Sequence, residues 1–168
     1  MLEHLLSRHY DPARYPTQWI TDNQLVVPLF DFIGRLRGCL TYTRDAPKEH
    51  ENPRLKRYLP RAPAGYQPLW GTELPVKTGV VFLTESIFKS ASLHALGYDS
   101  WAVCSSALSD PLYQQLMTLP YQFVCLGDDD KAGRELARSL KYGATSRDLD
   151  ELTVPERLAV IKQFDFLF

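Results

Sequence analysis

Glu85 and the acidic run Asp128-Asp129-Asp130 are the residues of this sequence best suited to chemistry. Glu85 ends a short apolar run, Val80-Val-Phe-Leu-Thr, and the aspartates closely follow a second, Tyr121-Gln-Phe-Val-Cys-Leu. Carboxylates gathered in one place repel one another and lose hydration, so such a group calls for a cation. Hard oxygen ligands with room for water suit Mg2+ or Mn2+ better than zinc. An ion held this way polarises a phosphoryl oxygen and serves phosphodiester chemistry. The aspartates also have a plainer reading, because acids at a helix N-terminus are favoured by the helix dipole. One cap needs one acid, however, and here there are three besides a strand-end glutamate.

Cations accompany the acids. From Arg35 to Arg61 the segment is locally basic, with Arg44, Lys56 and Arg57 among its cations against Asp45, Glu49 and Glu51. The whole chain has a net charge of only −1, so this reads either as a phosphate-facing surface or as an ordinary solvated face. Lys131, Arg134, Arg138 and Lys141 recur at helical spacing directly after the aspartates. They would line one face and track a phosphate backbone, unless Glu135, four residues from Lys131, merely pairs with it.

The elements that must position these groups change in texture along the chain. Residues 1 to 76 are rich in proline and alternate short strands, about 24–32 and 35–44, with loops; Asp31-Phe-Ile-Gly34 reads as the turn between the two strands. This part is expected to be a small basic α+β lobe. Residues 77 to 168 alternate regularly. Strands at 80–85, 100–104 and 121–126 are separated by helices at 86–96 and 110–118, and a third helix is expected over 131–141. Gly97 and Gly143 are placed to stop helices, Asp110-Pro111 to start one, and Thr153-Val-Pro-Glu156 to open a last helix with a capping box. Such alternation predicts an α/β fold, a parallel sheet with helices as crossovers. If its first and third strands are neighbours, Glu85 and the aspartates meet beyond their carboxyl ends, where open α/β sheets bind ligands.

Cys39, Cys104 and Cys125 form no CxxC pair, and His4, His9, His50 and His94 are scattered, so neither a disulfide framework nor a zinc site is expected. No apolar run approaches the roughly 20 residues of a membrane span, and the first residues do not read as a secretory signal. A cytoplasmic protein is expected.

Glu85, followed by two β/α units and then Asp128-x-Asp130-x-Ala132-Gly133-Arg134, resembles the TOPRIM domain of bacterial-type primases, topoisomerases and some nucleases. Arg147-Asp148-Leu149-Asp150-Glu151 resembles a further acidic element of the primase branch. Val26 to Phe32, Gly34-Arg35, Arg57-Tyr58-Leu59 and Leu69-Trp70-Gly71 follow the order of the basic lobe that precedes TOPRIM in primases, so the likeness spans about residues 18 to 152. It is nearest to phage-encoded primase-like proteins. The resemblance implies a Rossmann-like TOPRIM sheet with helices on both faces. It makes Glu85, Asp128 and Asp130 catalytic ligands of Mg2+ or Mn2+, with Asp148 and Asp150 as additional ligands. Arg35, Arg44, Lys56, Arg57, Lys89, Lys131, Arg134 and Arg138 would contact nucleotide or template.

Three positions depart from the family pattern: Ser86 stands for the usual glycine after the glutamate, Lys89 for an acid four residues on, and Tyr42 for an arginine. Lys89 would either pair with Glu85 and compete with a metal, or meet a phosphate. The resemblance implies metal-dependent nucleotidyl transfer from nucleoside triphosphates on a single-stranded DNA template, in a cell invaded by phage. A helicase or a separate zinc-binding module is the expected partner. A metal-dependent nuclease and a catalytically weakened module that binds nucleic acid or the replication machinery are the alternatives.

Overall fold

The structure is a computed structural model that describes residues 1–15 and 17–168. Its first sheet is antiparallel, in the order β1-β2-β3-β4. It comprises β1 (Trp19–Ile20), β2 (Gln24–Phe30), β3 (Leu36–Thr43) and β4 (Tyr58–Arg61). Asp31 makes the β2–β3 turn, its Oδ1 accepting from the Ile33 and Arg35 amides at 3.1 and 2.9 Å, while Gly34 takes the left-handed conformation at φ +76°. Pro28, which cannot donate to a ladder, sits in β2 beyond the short pairing with β1. Leu25, Val27 and Leu29 alternate inward and face Tyr42 and Leu40 of β3 across the ladder. The short helix α1 (Leu2–Ser7) packs on this lobe through Leu5.

The second sheet is wholly parallel, in the order β6-β5-β7-β8. Its strands are β5 (Val80–Thr84), β6 (Ser100–Ala102), β7 (Gln122–Asp128) and β8 (Tyr142–Ser146). The crossovers are α2 (Ile87–His94), α3 (Asp110–Leu116) and α4 (Lys131–Ala137), and α5 (Val154–Lys162) follows the last strand. This is the α/β fold expected from the alternation of elements, with Gly97 at φ +88° after α2 and the capping box of Thr153 and Glu156 at α5. Three details differ. Ser109, not Asp110, caps α3, its hydroxyl accepting from the Leu112 amide. The third crossover helix ends at Ala137 rather than near Lys141, and Gly143 does not stop it but lies inside a fourth parallel strand. A Cβ on Gly143 would fall 1.9 Å from the Ala137 carbonyl and 3.0 Å from that of Cys125, so only glycine lets β8 lie against both helix end and neighbouring strand.

Both faces of the parallel sheet are covered, as its unbroken apolar strands require. Val81 and Leu83 of β5 join Leu112, Leu116 and Leu136 on one face, while Val80 and Phe82 join Leu149, Ile161 and Phe164 on the other. A third cluster ties the lobe to the sheet: Leu5, Tyr10, Val27 and Tyr42 pack against Ile87, Phe88 and Ala91 of α2. Backbone bonds reinforce that seam, the Trp70 and Ala102 amides each donating to the other's carbonyl at 2.9 Å. Trp70 itself is 1% exposed. Gly71 follows at φ +95°, where a Cβ would press to 3.0 Å from the Ser100 carbonyl.

Candidate acidic site

β5 and β7 are neighbours, with Thr84 opposite Leu126. Glu85 is the first residue past β5 and Asp128 the last of β7, so both emerge at the carboxyl edge. The chain turns in opposite directions here, from β5 outward to β6 on one side and from β7 to β8 on the other. A crevice opens at such a switch point. Asp148 reaches the same place from the loop after β8.

The close approach of α4 depends on the glycines of its motif. A Cβ on Gly127 would lie 1.9 Å from the Gly133 carbonyl oxygen, and one on Gly133 would lie 2.1 Å from the Asp128 amide nitrogen. The first turn of α4 therefore rests directly on the end of β7 and fixes the Asp128 backbone. Asp130 is the helix cap, its Oδ1 accepting from the Gly133 amide at 2.7 Å. Asp129 receives Arg134 at 3.1 Å.

Lys89 stands at the centre. Ser86 caps α2 and takes the Lys89 amide, which directs the lysine from the first turn towards Glu85, four residues back. Its ammonium nitrogen donates to Asp128, lies 3.1 Å from an oxygen of Asp148 and 3.9 Å from one of Glu85, while the residue is only 4% exposed. Burial alone would pull its pKa down, but the contact with Asp128 and the charges of Asp148 and Glu85 outweigh this and raise it. Burial pushes the Glu85 carboxyl up, Lys89 pulls it back in part, and Asp128 pushes it up again. Asp128 is also raised, burial first, with Lys89 opposing and Asp148 and Asp130 assisting. Lys89 and Asp128 do not mirror each other because the lysine meets only carboxylates, whereas the aspartate meets one ammonium and further carboxylates. Glu85 Oε1 is buried with no hydrogen-bond partner among the described residues.

Asp150 belongs to a separate contact. It is 3% exposed and accepts from Nε of Arg8, which comes from the end of α1 and lays its guanidinium 4.6 Å from the Phe88 ring centroid. Arg157 of α5, 2% exposed, feels the same carboxylate and donates to the Ser92 carbonyl at 3.2 Å.

The acids singled out from the sequence are thus divided: Glu85, Asp128 and Asp148 share Lys89, Asp130 caps α4, and Asp150 pairs with Arg8. The basic residues are dispersed too. Arg44 pairs with Asp45, Lys56 with Glu49, and Arg57 donates to the Ala46 carbonyl at 2.7 Å. Arg35 is exposed at the β2–β3 turn, and Lys131, Arg134 and Arg138 are exposed at α4, although Arg138 is already its C-cap and Lys141 lies beyond it. Arg8 escaped sequence reasoning, since nothing near it in the chain marks an arginine as the partner of an acid so far away.

The residues as arranged do not fit a divalent ion. An ammonium holds the point the three carboxylates share, and the remaining acids are engaged elsewhere. Among the described residues, no group of three or more His, Cys, Asp or Glu side chains is disposed to hold a metal ion.

A parallel sheet of this order, with helices on both faces and an antiparallel lobe before it, is the architecture of primase catalytic cores. The chain matches the Escherichia coli primase catalytic core with a TM-score of 0.62 at 15% identity, over 96% of this chain and 59% of that one. The primase fragment of the bacteriophage T7 primase-helicase matches with a TM-score of 0.60 at 15% identity, over 83% of this chain and 62% of that one. A DnaG primase catalytic domain bound to single-stranded DNA matches with a TM-score of 0.60 at 14% identity, over 96% and 60%. At these identities the likeness is one of fold, and the chain spans about three fifths of each solved chain. No family model and no curated protein matches the sequence. Among the described residues no helix is long and apolar enough to cross a membrane.

Proposed function

We propose that this chain is a primase-type nucleic-acid-binding module of a phage-type DNA replication system, and that it does not carry out metal-dependent nucleotidyl transfer while Lys89 is seated. The observation that carries the reading is the sorting of charge. Lys89 at the acidic centre and Arg8 at its separate contact are spent on internal carboxylates, whereas Arg35, Arg54, Arg61, Lys131 and Arg138 are exposed and, among the described residues, form no ion pair. Unpaired surface cations neutralise backbone phosphates and release counterions, which is the main source of affinity for a single strand. The primase core solved with single-stranded DNA supports DNA as the ligand. A helicase or a zinc-binding module would then supply template choice.

The test is fluorescence anisotropy with a labelled single-stranded oligonucleotide, in Mg2+ and in EDTA, alongside a primer-synthesis assay with nucleoside triphosphates. Binding that weakens with salt, is indifferent to EDTA and yields no primer is expected. Failure to bind DNA at low salt would sink the proposal. A second reading, nucleotidyl transfer dependent on Mg2+ or Mn2+, is favoured by the unpartnered Oε1 of Glu85. Primer synthesis abolished by Glu85→Gln would establish it instead.

A further inference from the structure

We infer that Lys89 is the resident cation of the acidic centre, so that Glu85, Asp128 and Asp148 are held together without a divalent ion. The inference goes beyond DNA binding and does not depend on it.

Its geometry is that of a seat, not a surface ion pair. Lysine is seldom fully buried unless paired, and Lys89 is 4% exposed with three carboxylates from three separate segments around one nitrogen. An ammonium has three donors about a compact charge, which suits a point shared by three acids better than the planar fork of arginine would. The root of the side chain is fixed as well. Ile87, Phe88, Ser90, Ala91, Ser92 and Leu93 of the same helix are all buried, and Phe88 stacks edge-on against Tyr10 and Tyr42 of the lobe. Withdrawing the ammonium would leave the three carboxylates uncompensated at the end of a buried strand. A divalent ion approaching the same point would meet a like charge in poorly solvated surroundings, where repulsion is strong. Ammonium and divalent ion are therefore alternatives.

Calorimetric titration with MnCl2, and thermal unfolding with MnCl2 or EDTA, on the wild-type chain and on Lys89→Ala, test the assignment. The wild-type chain is expected to show no saturable uptake of Mn2+ and the same melting temperature in both solutions. Lys89→Ala is expected to take up Mn2+ saturably, where the wild-type chain does not, and to melt at a higher temperature in its presence. If the alanine variant does not fold, Lys89→Met, which keeps the packing of the stem, carries the same comparison, and refolding of either variant on adding Mn2+ counts as the gain. Saturable Mn2+ binding by the wild-type chain would overturn the inference. So would variants that neither bind Mn2+ when folded nor refold with it. Because the readout is the ion alone, its failure is distinct from a failure to bind DNA.

Discussion

Arg8 and Asp150 lie at opposite ends of the chain, yet the guanidinium of one donates to the buried carboxylate of the other across the seam between lobe and sheet. The arginine keeps 22% of its side-chain exposure while the aspartate side chain has none. Removing the arginine thus strands a buried charge, which is costlier than losing a surface pair. Arg8→Ala is expected to destabilise the fold by about 3 kcal/mol, at the lower end for broken buried pairs because the arginine is partly exposed. Urea unfolding measures this, and a double-mutant cycle with Asp150→Asn should recover a large share of the loss. Additive losses would show that the pair is not coupled.

Glu85 links the site to pH. Its carboxyl is raised above its ordinary value of 4.5, so the folded chain binds this proton more tightly than the unfolded chain does. The contribution to stability is complete below 4.5 and is lost as pH rises through the folded value. Glu85→Gln removes that dependence. Its melting temperature should match the wild type under acid conditions and exceed it at neutral pH, because Asp128 and Asp148 still hold Lys89. Equal melting temperatures at both pH values would count against a raised Glu85.

Gly133 offers a test of how α4 is seated. In an exposed helix, replacing glycine by alanine would stabilise by about 1 kcal/mol. Here the new Cβ would lie 2.1 and 2.2 Å from the amide nitrogen and carbonyl oxygen of Asp128. Backbone cannot yield as a flexible side chain can, so overpacking prevails and Gly133→Ala should cost about 1–3 kcal/mol net. Chemical denaturation would show it as a lower midpoint with an unchanged slope.

The exposed cations predict a salt signature. If Lys131 and Arg138 each meet one phosphate of a single strand, the double alanine variant should lower the slope of log K against log salt by about 0.7 per lost contact. Anisotropy at several salt concentrations gives the slope. An unchanged slope would place the strand elsewhere on the surface.

The legibility of the molecule in its sequence varied with the range of the interaction. Val80–Thr84 and the strand through Leu126 announced themselves because both their faces are buried and their runs are unbroken. β8 did not. Tyr-Gly-Ala-Thr-Ser is an edge strand paired on one side only, and its half-exposed residues carry no apolar run. Its glycine looked like a helix stop, although the residue is there for close backbone contact. At the acidic centre, the four-residue spacing of Glu85 and Lys89 allowed the lysine of the first helical turn to reach back to the strand-end glutamate. That the lysine also reaches Asp128 and Asp148 follows from strand order, which no local pattern encodes. Arg8 was invisible for the same reason.

The seat of Lys89 also bears on how such a centre arises and changes. The codons for lysine and glutamate differ at a single base, so one point mutation exchanges this internal ammonium for a fourth carboxylate at the same place. A centre that carries its own counter-charge and one that must recruit an ion from its surroundings are then adjacent genotypes on one unchanged scaffold.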